Sequence, residues 1–322
     1  MTPLEALGAN QRWRELAQHQ AGALGRVVQV DRGECEVMTD DGQIRVTSDS
    51  QRAQDDVAPV TGDWITVAPD PDDSPAVEQV LERRTLVVRR DPAEHARAQT
   101  LVANADVVGV VCGLDRRINP AQLERFCVVA WQSGAAVAVI LAKADLRRHP
   151  ERDADKAAAL APGATVVVTA ALRGEGLDEV AALLEENRTL ALLGPSGVGK
   201  STLINALVGT EVQATQEVRG GDAKGRHTTI ARRLVPVPHG GSIVDTPGIR
   251  AVGPWDAWDG LAAAYAEIDA LDHECRFAEN CWHQGEPDCA VAGNVDPGRL
   301  RRYLELAEEL ADQDLDRARR RS

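Results

Sequence analysis

One nine-residue motif constrains the fold of this chain more than any other feature of its sequence. It fits the pattern G-x-x-x-x-G-K-[ST], follows the apolar run TLALL and overlaps the helix-like segment STLINALV. Strand, loop and helix therefore occur in the order that a phosphate-binding P-loop requires. Its residues are Gly194, Pro195, Ser196, Gly197, Val198, Gly199, Lys200, Ser201 and Thr202. We predict that backbone N–H groups of this loop hold the phosphates of a nucleotide.

Two side chains of the motif and a second, downstream motif predict how the phosphates and Mg²⁺ are held. Lys200 is expected to reach the β- and γ-phosphates as a catalytic residue, and the Ser201 hydroxyl to ligate Mg²⁺. Downstream, the strand-like run GGSIV ends in Asp245-Thr-Pro-Gly248. An acidic residue at the end of a second strand is where P-loop enzymes hold Mg²⁺ through water. We therefore predict that Asp245 serves the metal and that Gly248 begins a segment that moves with the γ-phosphate.

A further pair of strand ends predicts which base is bound. The apolar run AAVAVIL leads into Ala142, Lys143, Ala144 and Asp145, and Thr169-Ala170 ends the next strand-like run. The tetrapeptide resembles the [NT]-K-x-D element of GTPases, in which the Asp carboxylate accepts hydrogen bonds from guanine and the Lys stem covers the base. Thr169-Ala170 lies where the S-A element of GTPases would bring a backbone N–H to the guanine oxygen. The sequence departs from that pattern at Ala142, which removes a side chain that usually braces the P-loop.

The order of these elements is unusual. The base-reading elements at 142–145 and 169–170 precede the phosphate-binding elements at 194–202 and 245–248, whereas in an ordinary GTPase they follow. Both sets are expected at the carboxyl ends of parallel strands, so the same ligand crevice can be built from a chain that is cut elsewhere. We predict a circularly permuted domain in which the second phosphate element leads directly into the C-terminal part of the chain.

The pattern on either side of these motifs predicts three domains. Short β-type runs separated by turn residues fill about 25–86 and indicate a five-stranded barrel. Buried apolar runs then alternate with amphipathic segments, which is typical of a parallel sheet covered by helices on both faces. A Trp-rich helical segment, a Cys/His cluster and a charged helix follow, and the terminal DRARRRS is expected to fray. The predicted domains are 1–91, 92–253 and 254–322.

Composition limits where the protein works and what it binds. With 36 basic and 50 acidic residues, the 322-residue chain has a net charge of −14, which opposes non-specific binding to DNA or to an anionic membrane. Its longest uncharged stretch, 126–142, is interrupted by polar residues and is too short to span a bilayer. The N-terminus lacks the apolar core of a secretory signal. We expect a cytoplasmic protein, and a monomer.

Four potential metal ligands lie within fifteen residues near the C-terminus. They are Cys275, Cys281, His283 and Cys289. Three thiolates and one imidazole complete a tetrahedral Zn²⁺ site with no position left for water, so we predict one structural Zn²⁺. The remaining cysteines, at 35, 112 and 127, lie in apolar segments and are expected in the core.

Taken together, these motifs resemble the family of small-ribosomal-subunit-dependent GTPases A (RsgA). The resemblance spans about residues 25–310 and includes GDW at 62–64, ANADVV at 103–108, NPAQLERF at 119–126, GPSGVGKST, DTPGIR and CRFAENCWHQGEPDCAV. It implies an N-terminal OB-fold barrel, a circularly permuted α/β P-loop GTPase domain and a C-terminal helical zinc-binding domain. It also implies docking on the small (30S) ribosomal subunit and its rRNA during late maturation, with GTP hydrolysis that the subunit stimulates.

The resemblance also implies a catalytic segment. Residues 224–229, Lys-Gly-Arg-His-Thr-Thr, match the switch I element of the family, so Thr229 would complete the coordination of Mg²⁺ and His227 would position the attacking water. Ile249 stands where many GTPases carry the glutamine that orients this water. Another group must therefore do so. His227 is the best available residue, and the alternative is that it is a solvent-exposed side chain with no catalytic role.

Two basic segments are candidates for contact with RNA. One is 219–233, which has five basic residues and one acidic residue, and the other contains Arg83, Arg84, Arg89 and Arg90. The alternative for either segment is a solvated charged surface. Two alternative functions are also open from the residues: a P-loop ATPase or nucleotide kinase, and a non-catalytic RNA-binding scaffold in which nucleotide has only a structural role.

Overall fold

A computed structural model of the chain describes residues 1–48, 57–68, 75–91, 97–211, 232–238, 240–246, 253–277 and 281–321. The P-loop and base-reading elements lie within these ranges. The predicted residues Lys224, Arg226, His227, Thr229 and Gly248 lie outside the described residues, as does Ile249.

The N-terminal part of the chain is a closed barrel with two short helices packed on it. The helices are α1 (Pro3–Ala6) and α2 (Gln11–Gln18), and the strands are β1 (Ala23–Val30), β2 (Glu34–Thr39), β3 (Gly42–Thr47), β4 (Trp64–Ala68) and β5 (Ala76–Val80). The strands close in the order β1-β2-β3-β5-β4, as expected for the five-stranded barrel. Alternating valine and isoleucine side chains fill its interior. Trp13 of α2 stacks on Trp64 of β4 with ring centroids 5.3 Å apart, which fixes the helices to the barrel.

A two-stranded ribbon links the barrel to the next part of the chain. Its strands, β6 (Leu86–Arg90) and β7 (Ala98–Ala103), are antiparallel. The sequence did not predict this ribbon, and the boundary expected between residues 91 and 92 falls between its two paired strands. The domain bounds therefore remain predictions.

The central unit is a six-stranded sheet. Its strands are β8 (Val107–Gly113), β9 (Ala136–Ala142), β10 (Thr165–Val168), β11 (Thr189–Leu193), β12 (Leu234–Pro236) and β13 (Ser242–Asp245), in the order β10-β9-β8-β11-β13-β12. The first five in this order are parallel, as expected from their apolar runs. The edge strand β12 is antiparallel to β13. Its Pro236 has no N–H to donate, which suits an edge strand.

Helices cover both faces of the sheet. They are α3 (Pro120–Gln132), α4 (Pro150–Leu160), α5 (Leu177–Ala182) and α6 (Lys200–Val208). Buried residues of α3 and α4 form one core with the sheet, and buried residues of α5 and α6 form the other. Since parallel strands end at the same edge, the carboxyl ends of β9, β10, β11 and β13 lie together despite their permuted order in the chain.

The C-terminal part packs against α3. Its helices are α7 (Trp258–Ala264), α8 (Ala266–Asp272) and α9 (Pro297–Arg321). α7 lies so close to α3 that a Cβ on Gly260 would be 2.2 Å from the Val128 carbonyl oxygen. α9 continues to Arg321, so most of the terminal segment that the sequence predicts to fray is helical in the structure.

A buried carboxylate joins this part to the sheet domain. Glu124 of α3 is 1% exposed and accepts hydrogen bonds from Arg299 Nη1 (2.8 Å), Arg302 Nη2 (2.9 Å) and the Tyr265 hydroxyl (3.0 Å). Arg299 also pairs with Glu267 of α8. Three C-terminal residues thus converge on one side chain of α3.

In the described part of the chain, no helix is both long and apolar enough to cross a membrane. The longest helix, α9, is amphipathic: Leu306 and Leu310 are buried among apolar neighbours, and charged residues lie between them.

Candidate functional site: a nucleotide crevice and a metal-ligand cluster

The P-loop adopts the geometry that its glycines allow. β11 ends at Leu193, and α6 begins at Lys200. Gly194 and Gly199 have φ angles of 151° and 112°, in the region that favours glycine. A Cβ on Gly194 would lie 2.6 Å from the Val111 carbonyl oxygen. The loop therefore leaves the backbone N–H groups at the start of α6 facing the carboxyl edge of the sheet, where they can bind an anion.

The side chain of the predicted lysine folds back into this loop. Lys200 is 6% exposed, and its Nζ donates to the carbonyl oxygens of Gly194 (2.8 Å) and Pro195 (3.1 Å). Burial lowers the pKa of Lys200, and the nearby Asp245 carboxylate opposes that shift. The ammonium group is therefore held by neutral loop carbonyls at a position from which it can turn to a phosphate.

Ser201 and Asp245 meet as the sequence predicts. The Ser201 hydroxyl lies 3.5 Å from Asp245 Oδ2. Asp245 Oδ1 is buried and has no hydrogen-bond partner among the described residues. Burial raises the pKa of Asp245, while Lys200 and Ser201 oppose the shift. A buried, unpartnered carboxylate oxygen beside a hydroxyl fits the oxygen-ligand chemistry of Mg²⁺.

The base-reading loops also come together at this edge. The Ala144 N–H donates to the Thr169 carbonyl (3.1 Å), and the Thr169 N–H donates to the Leu141 carbonyl (2.9 Å). Lys143 takes a left-handed conformation with a φ of 61°, and Asp145 follows in a 3₁₀ turn, half-buried. The geometry thus brings residues 142–145 and 169–170 into one loop cluster.

Lys143 supplies a connection that the sequence did not predict. Its Nζ donates to the Gly197 carbonyl of the P-loop and lies 3.3 Å from Asp115 Oδ2. Ala142 itself is buried, 3.4 Å from where a Cβ on Gly199 would lie. The base loop is therefore tied to the P-loop by Lys143 although position 142 carries no polar side chain.

One expected donor is already bonded. The Ala170 N–H donates to the Glu175 carbonyl (3.0 Å), and the Thr169 hydroxyl donates to the same oxygen (2.8 Å). In this geometry the Ala170 N–H is engaged within its own turn.

The four metal ligands predicted near the C-terminus form a cluster. The ligand atoms of Cys275, Cys281, His283 and Cys289 all lie within 4.8 Å of one another. His283 Nδ1 is 3.4 Å from Cys289 Sγ and 3.8 Å from Cys275 Sγ. This donor set and spacing can hold a metal ion.

Asp272 supports the cluster, and the sequence did not single it out. Its Oδ1 lies 3.1 Å from His283 Nε2, so Nδ1 is the nitrogen that faces the three sulfurs. A carboxylate that orients a ligating imidazole is common in zinc sites. The sequence alone gives only a weak indication of Asp272. Asp269 lies on the same helix, and its spacing makes it an equally plausible partner for the histidine.

The predicted basic segment at residues 83–90 has internal partners. Arg83 makes a bidentate pair with the buried Asp63, with distances of 2.8 and 2.7 Å. Arg84 pairs with Asp106 (2.7 Å), Arg89 bonds to Gln99 (2.9 Å) and Arg90 pairs with Glu309 (3.0 Å). These contacts favour a structural role for the segment.

Comparison with known proteins places this architecture in a family. The family model for the RsgA GTPase matches residues 80–255. A protein of Streptomyces coelicolor named small ribosomal subunit biogenesis GTPase RsgA is 42% identical over 322 residues, covering 95% of this chain and 86% of the relative. A protein of the same name from Streptomyces avermitilis is 41% identical, with 92% of this chain and 82% of the relative covered.

Solved structures share the fold. YjeQ from Thermotoga maritima has a TM-score of 0.64 at 24% identity, with coverage of 90% of this chain and 98% of its own. YloQ, described as a circularly permuted GTPase, has a TM-score of 0.60 at 19% identity and covers 92% and 97% of the two chains. The barrel, the permuted P-loop domain and the Cys/His cluster therefore fit the architecture of these structures. On its family match and its similarity to curated relatives, this chain belongs to the RsgA GTPases and is itself a GTP hydrolase.

Proposed function

We propose that this GTPase acts in the late maturation of the small (30S) ribosomal subunit, as a cytoplasmic monomer. The subunit stimulates its GTP hydrolysis, and the bound nucleotide controls docking and release. The observation that carries this proposal is the match to proteins named small ribosomal subunit biogenesis GTPases over 95% and 92% of the chain, which includes the barrel and the Cys/His cluster as well as the P-loop. A scaffold without turnover has no comparable support.

In this proposal the crevice holds GTP with Mg²⁺. The P-loop and Lys200 bind the phosphates, Ser201 ligates the metal directly, and Asp245 does so through water. Held by these residues, Mg²⁺ would supply positive charge to offset the charge that develops on the phosphate oxygens. The unpartnered oxygen of Asp245 supports this assignment, since a buried carboxylate is costly unless something binds it. Asp145 pairs with guanine, and Lys143 lies along the base.

The Cys/His cluster holds one structural Zn²⁺ in this proposal. Three thiolates and an imidazole satisfy zinc without leaving a position for substrate. The link from His283 to Asp272 supports zinc, because it leaves Nδ1 as the ligating nitrogen.

The chain between α6 and β12 offers a route from nucleotide to RNA. After residues 212–231, the described structure resumes at Arg232, whose carbonyl accepts a hydrogen bond from Thr61 Oγ1 (3.1 Å) beside the barrel. Arg233 then pairs with Gln29 of β1 as an isolated bridge and lies 3.6 Å from Glu36 of β2. A segment that follows the P-loop helix and ends on the barrel can transmit a change at the γ-phosphate to a surface suited to oligonucleotides.

His227 and Thr229 belong to the intervening segment, and their roles remain proposals. Thr229 completes the coordination of Mg²⁺, and His227 positions the attacking water. A residue with this role acts in the transition state more than in the ground state. His227→Ala should therefore lower turnover while GTP affinity stays nearly unchanged.

The test is GTP turnover by the full chain with purified small or large subunits over a range of salt. Small subunits should raise the rate strongly, and large subunits should not. Joint neutralisation of Lys224 and Arg226 should reduce that stimulation. Co-sedimentation in GDP or a non-hydrolysable GTP analogue then measures docking. A basal rate unchanged by small subunits at every salt concentration would overturn the proposed coupling.

A further inference from the structure

A cavity lies on the opposite side of the GTPase sheet from the P-loop edge. It has a volume of about 310 Å³, is partly open to solvent, and is bordered by the α1–α2 segment, the barrel and the residues that precede β8 and β11. Since β8 and β11 are parallel and β11 ends at the P-loop, their first residues mark the far edge of the sheet. Cavities that bind small ligands begin at about 300 Å³. This one is lined mainly by charged and amide side chains.

A buried arginine without a carboxylate partner lines this cavity. Arg26 of β1 is 2% exposed. Its Nη atoms donate to neutral acceptors only: the Leu7 carbonyl, the Thr189 hydroxyl (2.8 Å) and the Asn104 carbonyl (3.3 Å). Its guanidinium carbon lies 4.8 Å from the centre of the Trp64 ring. Its Nε has no hydrogen-bond partner in the described structure.

The burial of this cation has an electrostatic cost. Desolvation lowers the pKa of Arg26 to about 10, although the carboxylates of Asp106 and Asp63 act in the opposite direction from a distance. A buried charge is normally compensated by a direct counter-ion. In the described structure Arg26 makes no ion pair with a carboxylate.

The other charges of the cavity do not supply the missing counter-ion. Asp106 pairs with Arg84 (2.7 Å) and also accepts from the Thr189 N–H (2.8 Å). Glu186 pairs with Arg188 (3.0 Å). The three lining arginines therefore face two carboxylates, each already paired. Although the chain has a net charge of −14, the cavity therefore has a local excess of positive charge, which lies on the buried Arg26.

The backbone around the cavity is also strained. Asn104, Glu186 and Asn187 all have positive φ angles, of 54°, 60° and 59°. Asparagine tolerates this region, but glutamate adopts it uncommonly. Such strain persists where the surroundings fix it, often at ligand sites.

We propose that this cavity binds a sugar phosphate, with the phosphate group held by Arg26, Arg84 and Arg188. Its polar lining suits a hydrophilic ligand, and its volume accommodates a sugar as well as the anion. The same chemistry can come from a free phosphorylated sugar or from the ribose-phosphate backbone of RNA. Only the RNA source rests on the proposed ribosomal function.

The test is calorimetric titration of the full chain saturated with GDP and Mg²⁺, so that the P-loop cannot bind the probe. Ribose 5-phosphate is titrated first, with ribose as the uncharged match. We expect the phosphate ester to bind at least tenfold more tightly than ribose. Arg84→Ala and Arg188→Ala should each weaken it at least fivefold. The control is Arg45→Ala, an exposed barrel arginine paired outside the cavity, which should leave affinity unchanged.

A second titration separates the two sources. A trinucleotide without terminal phosphates replaces ribose 5-phosphate. If the trinucleotide binds, ribose 5-phosphate does not, and Arg188→Ala weakens the binding, the cavity is assigned to RNA backbone. If ribose 5-phosphate binds, the cavity is assigned to a free ligand. The proposal is overturned if neither probe binds more tightly than ribose, or if both arginine variants keep wild-type affinity. GDP affinity and melting temperature of each variant show that it is folded, and they do not depend on ribosomal subunits.

Discussion

Discrimination between guanine and adenine is expected to depend on Asp145. Its carboxylate pairs with a donor set that adenine lacks, and loss of such a partner costs about 1–3 kcal/mol. Asp145→Ala should therefore bind GDP about 5- to 150-fold more weakly and lose its preference over ADP, as measured by calorimetry. Asp155→Ala, on the exposed face of α4, is the matched control. Equal affinity of the wild type for GDP and ADP would contradict this role.

Asp245 is expected to lower the stability of the nucleotide-free protein. Its raised pKa means that the ionised form is disfavoured in the folded state, and this cost is present above the folded-state pKa. Asp245→Asn should therefore raise the free energy of unfolding at neutral pH by about 1 kcal/mol, while weakening the Mg²⁺-dependent binding of GTP.

The stability cost of ionised Asp245 should depend on pH. As pH falls below the raised pKa, Asp245 becomes protonated in the folded state and the cost shrinks, until it disappears below the ordinary pKa of the unfolded chain. The difference between wild type and Asp245→Asn should therefore shrink over this range. Denaturant unfolding at a series of pH values measures it, with Asp155→Asn as the control. A variant less stable than wild type at neutral pH would be inconsistent with this interpretation.

The sequence indicates which side chains lie together where local spacing sets their positions, although their roles stay predictions. Lys200, Ser201 and Asp245 meet because a strand–loop–helix motif and a strand end determine their positions. Asp115 could not be predicted, because its contact with Lys143 joins residues 28 apart and depends on the left-handed backbone at Lys143. The bonded Ala170 N–H likewise follows from the turn that closes at Glu175.

At the scale of elements, the Cys/His cluster is expected to fold around its metal. Zinc requires deprotonated thiolates, so a chelator should release one Zn²⁺ per chain and reduce hydrogen-exchange protection of residues about 270–295. GDP binding should persist, because the P-loop belongs to a separate core. Cys289→Ser, treated identically, should release little or no zinc. Metal analysis that finds no zinc in the wild type would contradict the assignment.

The elements differ in how far the sequence predicted them. Continuous apolar runs predicted β8, β9 and β11 because both faces of these strands are buried. The edge strand β12 was not predicted, since its three residues are too few to carry a periodic pattern. The ribbon of β6 and β7 was missed for a related reason: its strands are only half-buried, so their periodicity is weak.

At the scale of the whole molecule, Glu124 is expected to hold the C-terminal part on the GTPase sheet. Glu124→Gln removes the carboxylate that Arg302 and Arg299 share. Breaking a buried ion pair of this kind costs about 3 kcal/mol of folding free energy. Chemical denaturation should show this loss, and hydrogen exchange should rise in α7 and α9. The matched control, Glu179→Gln on the exposed face of α5, should change neither. Unaltered stability in Glu124→Gln would show that packing alone holds the two parts together.

The same side chain has a consequence for how the protein is made. Glu124 is synthesised early, but its partners Tyr265, Arg299 and Arg302 lie 141, 175 and 178 residues later. At about 5–20 residues per second, translation leaves this carboxylate and the α3 surface around it uncovered for on the order of ten seconds or more. A nascent chain can therefore complete the nucleotide crevice well before α3 acquires its last ionic partners, and full stability arrives only when α9 leaves the translating ribosome.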